Sequence, residues 1–343
     1  MGMNRRTFLA AAGAVAAPAL AQERAKVELG VEAGTVSQNK WTPVQFMDYL
    51  AKIGVEVAMI AVPRDMQTDP AALKGIKDHA DKLGMSLILS DGCICPSSTS
   101  FNPKFGTVEE QLTQTLNVAR TLGVKGLRVV VGMAKERPQI EMHMENTLKV
   151  VRSMRSRILD SGLKLAIENH GGDFQSRELK TLVEEAGKDV LGVTIDPGNS
   201  LWMMEDPHLT LELLGPYAEV SHVRDTAVWR VPEGVAIRWV NMGDGNVDID
   251  GWIKKFIQMR PGVPITFENL VSGQPRIARV FDPATFKDFS KMPASELSRF
   301  LALAERGKPV PAVPPKPGVS RGEQQCADLE VCVRYTRDLL KRI

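Results

Sequence analysis

Four polar residues each close an apolar run: Glu168 in LAIE, Asp196 in GVTID, His222 in EVSH and Glu268 in PITFE. Short runs rich in Val, Ile and Leu suit parallel strands buried on both faces, so each polar residue stands where a strand emerges. Three carboxylates and an imidazole gathered at neighbouring strand ends would repel and desolvate one another unless a cation neutralised them. Oxygen donors with one nitrogen suit Mn²⁺, placed first here, then Mg²⁺ or Co²⁺, with Zn²⁺ compatible. Taken singly, each residue has a plainer use. A carboxylate at a strand end caps a helix or loop, Asp196 before Pro197 makes a turn, and a lone histidine on an apolar strand sits satisfied in a core. Four of them on successive strands point instead to one metal ion.

Around these four lie further candidates. His170, before Gly171-Gly172, can act as an acid or base near the mouth, or simply cap the turn. Asn169 and Asn269 each follow a glutamate, in IEN and FEN, an echo that suits orienting a carboxylate or binding hydroxyls. Arg224 can polarise a carbonyl oxygen or hold a substrate carboxylate, or pair with Asp225. Trp202 and Trp41 offer faces on which a sugar could stack; packing is their plainer role.

The elements that must position these residues alternate regularly. Strand patterns at 26–34, 55–62, 85–92, 124–133, 163–171, 190–199, 219–228 and 263–270 are separated by helical patterns, most of which end at glycine, the residue suited to a left-handed C′ position. Strand and helix in alternation predict a parallel sheet. Eight such units favour a closed (β/α)8 barrel, an α/β fold whose active site lies at the C-terminal ends of its strands. No G-x-G-x-x-G follows the first strand, as a dinucleotide-binding sheet would need. Two stretches depart from the pattern: a long seventh loop at 229–250, and 271–322, an insertion and proline-rich linker before a last helix at 324–341. Residues 22–343 therefore read as a single domain.

Residues 1–21 read as a cleaved export signal. A basic start with Arg5-Arg6 precedes an apolar run too short to span a bilayer, and Ala19-Leu20-Ala21 offers the cleavage site. The pair followed by Phe8-Leu9 is similar to twin-arginine signals, which predicts a periplasmic or otherwise exported protein, the twin-arginine machinery as a partner, and no stable membrane insertion. With 43 basic and 41 acidic residues, charge gives no reason to expect nucleic acid as a partner. Cys93, Cys95, Cys326 and Cys332 match no zinc or redox spacing and are read as structural or incidental. The oligomeric state is left open, a homo-oligomer included.

Glu168, the Asp-x-x-Asn ending at Asn199, the His-x-Arg-Asp at 222–225, the Gly-x-Gly-x-x-Asp at 243–248 and Glu268 follow an order that resembles the xylose isomerase-like barrels. These comprise sugar isomerases, ketose 3-epimerases, hydroxypyruvate isomerase and inosose dehydratase, and the likeness spans about residues 26–270. It implies one divalent ion held by Glu168, Asp196, His222 and Glu268. It also implies Glu168 and Glu268 as paired acid and base, while His170, an imidazole near the mouth, is read from its own chemistry as a further catalytic group suited to elimination. Asn169, Asn199, Arg224, Trp202 and Asn269 are then expected on the substrate. A metal-bound carbonyl acidifies the neighbouring C–H, so the expected reaction is isomerisation or epimerisation of a carbohydrate through an enediolate. Export makes that carbohydrate an unphosphorylated one. Asn199 and Val220 stand where ketose epimerases often have histidines, which weakens a narrow 3-epimerase assignment. Elimination or hydration of a 3-keto-glycoside or keto-sugar is the first alternative, because removing a proton beside a ketone can expel a β-leaving group. A non-catalytic sugar-binding barrel is the second. Endonuclease IV shares the fold but needs many histidines, against five here.

Overall fold

In the computed structural model, residues 26–271, 273–311 and 317–343 are described; the export signal expected at 1–21 lies outside them, as does part of the proline-rich stretch. The apolar runs become β1 (Leu29–Glu32), β2 (Val57–Ile60), β3 (Ser86–Cys93), β4 (Gly126–Val130), β5 (Leu165–Glu168), β6 (Leu191–Ile195) and β7 (Ala218–Ser221). A hairpin of β8 (Asp225–Val231) and β9 (Gly234–Val240) precedes the eighth barrel strand, β10 (Ile265–Phe267), and a short β11 (Arg276–Ala278) follows. The parallel sheet runs β10-β1-β2-β3-β4-β5-β6-β7. Its two edges meet where Val223 N donates to Thr266 O (2.6 Å) and Glu268 N to Val223 O (3.3 Å). The barrel is thus nearly closed, as the alternation predicts.

Helices cover the outside: α1 (Pro43–Lys52), α2 (Pro70–Leu83), α3 (Val108–Leu122), α4 (Ile140–Ser153), α5 (Arg155–Ser161), α6 (Ser176–Ala186), α7 (Pro197–Trp202), α8 (Pro207–Leu214) and α9 (Ile249–Met259). After them come α10 (Ala294–Glu305) and α11 (Arg321–Leu340), the second being the expected last helix. Local signals set their ends. Thr42 with Gln45, Thr107 with Glu110 and Ser320 with Glu323 form capping boxes, and α2 and α3 stop at left-handed Gly84 and Gly123. The core between strands and helices includes Leu29, Leu127, Leu165, Val193, Phe256 and Phe267, all at 0 % exposure. No helix among the described residues is long and apolar enough to cross a membrane.

Between β4 and β5 the helical segment is divided into α4 and α5, where the chain turns at the buried Met154, whose ψ is 1°. Two expectations need correction. The seventh strand does not run to 228: the barrel strand ends at Ser221, and residues 225–231 belong to a separate antiparallel sheet ordered β11-β9-β8. The segment read as a seventh loop is largely β9 and its turns. Pro232-Glu233-Gly234 turns β8 into β9. Gly234 adopts φ +148°, and a Cβ there would lie 2.1 Å from Ala278 O on β11, so only glycine admits that third strand. The insertion after β10 thereby contributes β11 and α10, which packs Phe300 and Leu303 against Val228, Val235 and Ile237 of the hairpin.

Candidate metal centre

Strand periodicity carries the four residues inward. Registers pair Ser90 with Arg128, Arg128 with Ala166, and Glu168 with Thr194, so these side chains share the barrel's inner face. Two residues beyond Thr194, Val220 and Thr266, on the same face, stand Asp196, His222 and Glu268. The barrel beneath is plugged by Val57, Met59, Ile88, Ala166 and Val220, which keeps water from reaching the polar layer from below. One donor atom from each of Glu168, Asp196, His222 and Glu268 lies within 4.8 Å of all the others. The first three residues are 0 % exposed, and the Glu268 side chain is 15 % exposed.

Buried cations and dipoles engage this cluster. Arg128 Nε donates to Glu168 Oε2 at 2.6 Å. Asn199 Nδ2 bridges Glu168 Oε1 (3.1 Å) and Asp196 Oδ2 (2.9 Å). Arg224 Nη2 donates to Asp196 Oδ2 at 2.6 Å and is in ion-pair contact with Glu268 Oε2. His222 Nδ1 is 3.3 Å from both Glu168 Oε1 and Glu268 Oε2, while Nε2 lies 2.9 Å from Met59 Sδ. Burial would raise the Glu168 carboxyl, but Arg128, His222 and His170 together hold it well below the usual range. Burial pushes the Asp196 carboxyl up, offset in part by Arg224 and reinforced by the Glu168 charge. Asp196 does two jobs at once. Its Oδ1 caps α7, accepting from Gly198 N (2.7 Å) and Asn199 N (3.0 Å), which leaves Oδ2 for the cluster. Gly198 is small of necessity, since a Cβ there would sit 2.5 Å from Cγ and Cδ of Arg224.

The donor set fits a divalent cation. Three carboxylates and one imidazole converge, and two arginines leave one carboxylate charge uncompensated when His222 is neutral. Nε and Nη1 of Arg224 are buried without an acceptor, which leaves donors for an incoming oxygen.

The other residues singled out in the sequence divide. Asn199 and Arg224 join the cluster. Asn169 faces the strand ends: its amide donates to Asp196 O and accepts from Asp196 N, both at 2.8 Å, tying the end of β5 to that of β6. Asn269 donates to Asn241 Oδ1 at 3.1 Å, outside the cluster. The echo of IEN and FEN thus reflects strand parity, the glutamate pointing in and the asparagine out. His170 holds the turn, with Nδ1 2.9 Å from Gly132 O and its backbone N–H on Asp173 Oδ1 at 3.0 Å. Trp202 is stacked on Trp239 (centroids 4.6 Å apart, planes 5° apart) with Arg276 over it, so protein groups occupy the faces expected to meet a sugar. Trp41 packs on Tyr49 of α1, centroids 4.9 Å apart. The four cysteines are free thiols. Arg128, Trp239 and Arg276 escaped the sequence reading. An arginine inside the apolar GLRVVV was a signal for the first; the other two carried none.

A family model described as xylose isomerase-like TIM barrel matches residues 47–280. A curated relative, 3-oxo-isoapionate decarboxylase of Pectobacterium atrosepticum, is 25 % identical over 183 residues, 53 % of this chain and 60 % of that protein. The uncharacterised YihM of Escherichia coli is 27 % identical over 114 residues, 32 % of this chain and 35 % of that one. The chain therefore spans less than two thirds of the length of either. Among solved structures, D-psicose 3-epimerase in the presence of D-fructose superimposes with a TM-score of 0.62 at 14 % identity, covering 91 % of this chain and 99 % of that one. The IOLI protein with a zinc atom gives 0.60 at 12 %, covering 92 % and 98 %. At such identities these two speak for the fold.

Proposed function

This chain belongs to the xylose isomerase-like TIM barrel family, and from that premise we propose that it is a divalent-metal-dependent enzyme moving a proton beside the carbonyl of a carbohydrate, as a sugar isomerase or epimerase does. The observation that carries this reading is the convergence of Glu168, Asp196, His222 and Glu268 at one barrel mouth. A bound ion would supply Lewis acidity to a carbonyl and its neighbouring hydroxyl. The chain's own residues supply the rest. Glu168 has both oxygens engaged by Arg128, Asn199 and His222, which suits it to hold position. Glu268 alone of the four keeps an accessible edge, which suits it to take and return the proton. Arg224, with two nitrogens, Nε and Nη1, lacking acceptors, can bind the oxygen on which charge develops. The named neighbours support a carbohydrate substrate, and the expected signal at 1–21 supports export and an unphosphorylated one.

A second reading has its own support in the decarboxylase relative. Breaking the bond to a carboxylate beside a carbonyl leaves the same electron pair on carbon as removing a proton does, so one site could serve either. Carbon dioxide leaves, and Glu268 in its protonated form returns a proton to that carbon. The test of the leading reading is metal content of the wild type and Asp196→Ala, followed by wild type and Glu268→Gln with a ketose panel in D₂O. Expected is one ion per wild-type chain, absent from Asp196→Ala, with deuterium incorporation only in the wild type. No ion in either protein after incubation with Mn²⁺ would overturn it.

A further inference from the structure

The three-stranded sheet over the barrel mouth does more than cover it. Its outer strand β11 pairs with β9, setting Arg276 beside Ile237 and near Trp239. A continuous stack follows. Cζ of Arg276 lies 4.4 Å above the Trp202 ring, Trp202 lies flat on Trp239, and Cζ of Arg224 lies 4.1 Å from the Trp239 ring. Arg224 then reaches Asp196 and Glu268. Nη1 of Arg276 would stand 3.5 Å from a Cβ on Gly172, so the guanidinium hangs over the turn that follows Glu168 and His170.

The two arginines of the cluster and the one beneath the insertion each meet a carboxylate: Arg128 meets Glu168, Arg224 meets Asp196 and Glu268, and Arg137 meets Glu178. Among the described residues, Arg276 meets neither a carboxylate nor a hydrogen-bond acceptor; its one contact of this kind is the Trp202 ring. It is exposed as a residue, yet the ring and turn beneath its head desolvate it and lower its pKa from the ordinary arginine value. A guanidinium held flat by an indole keeps its N–H fork pre-organised in one plane, and a fork of that kind is matched by an oxyanion.

Resting on the reading of the four-residue cluster as the reaction centre, we infer that Arg276 is a specificity-determining residue that pairs with a carboxylate at the end of the substrate remote from the reacting carbon, so that the substrate is a sugar acid. One guanidinium balances a monoanion, whereas a phosphate monoester, with close to two charges, calls for more donors than this site offers.

The test is calorimetric binding to the wild type, Arg276→Gln and Arg276→Lys, each with Mn²⁺ and again in EDTA. The probes are D-glucuronate against D-glucose, D-gluconate against D-glucitol, and D-glucose 6-phosphate. Expected is a preference of about tenfold or more for each carboxylate over its neutral partner in the wild type. Arg276→Gln should abolish that preference and leave neutral binding unchanged, and Arg276→Lys should keep part of it. No preference in the wild type, or one that survives in Arg276→Gln, would overturn the inference. A larger Arg276-dependent gain for the phosphate would overturn the carboxylate assignment. Binding in EDTA keeps this outcome separate from the metal reading: an Arg276-dependent preference there stands even if no ion binds, and its absence from protein shown to hold Mn²⁺ counts against Arg276 alone.

Discussion

Replacing Arg128 with Met removes a buried charge while keeping a long apolar stem. The Arg128 side chain is 12 % exposed and its partner Glu168 is 0 % exposed. The variant would leave that carboxylate with only Asn199 at 3.1 Å and His222 at 3.3 Å. Removing one partner of a buried ion pair costs about 3–5 kcal/mol. For 343 residues the unfolding entropy is about 0.7 kcal/mol/K, so the metal-free variant should melt about 4–7 °C below the wild type. The same change acts oppositely on metal. Arg128 and a divalent ion compete for the charge of Glu168, and two unit charges about 4 Å apart interact by about 4 kcal/mol at an effective dielectric constant of about 20. Even a fraction of that repulsion, once removed, should tighten Mn²⁺ binding about tenfold or more. Scanning calorimetry in EDTA and in excess Mn²⁺, with titration of the ion, reads both effects. Mn²⁺ should therefore raise the Tm of the variant more than that of the wild type. An unchanged Tm in EDTA would refute the assigned weight of the ion pair. Weaker Mn²⁺ binding in the variant would refute the charge competition and leave Arg128 as a residue that only positions Glu168.

Other perturbations reach different parts of the structure. Gly198→Ala puts a Cβ 2.5 Å from the stem of Arg224 and should cost about 1–3 kcal/mol as well as solvent-exchange activity; a fully active variant with wild-type Tm would show that Arg224 has room to move. Asn169→Ala cuts the tie between β5 and β6 and should weaken Mn²⁺ binding by displacing Asp196, an effect absent if that strand end is held by other contacts. Glu205, buried and hydrogen-bonded by Ser176, has its carboxyl pushed up to about 7 by burial. A raised carboxyl pKa means the folded state holds its proton longer than the unfolded state. The stability this group contributes is therefore complete below about pH 4.5 and lost as pH rises through about 7, on the order of 3 kcal/mol. Glu205→Gln, which cannot ionise, should accordingly gain in Tm relative to the wild type between pH 5 and pH 8; an offset equal at both would count against a proton on Glu205.

Much of the architecture was legible along the chain because it depends on local periodicity. Apolar runs alternating with glycine-terminated helices predict a parallel sheet, and eight of them favour a barrel. Polar residues closing those runs had to lie at its mouth, and Glu168, Asp196, His222 and Glu268 do meet there. The hairpin at β8 and β9 was less legible: its turn signal, Pro232-Glu233-Gly234, sat inside a stretch read as loop. What neutralises what was decided only by the tertiary structure. Arg128 reaches Glu168 because β4 and β5 are neighbours in register, and Asn169 and Asn269 turn away from the cluster because strand parity sends them outward. Trp202 meets Trp239 and Arg276 because a strand formed after β10 returns to pair with one formed before it. The range of the forces explains the division. Periodicity and capping act over a few residues, so sequence carries them, whereas ion pairs and ring stacking join groups that share no neighbourhood until the barrel closes.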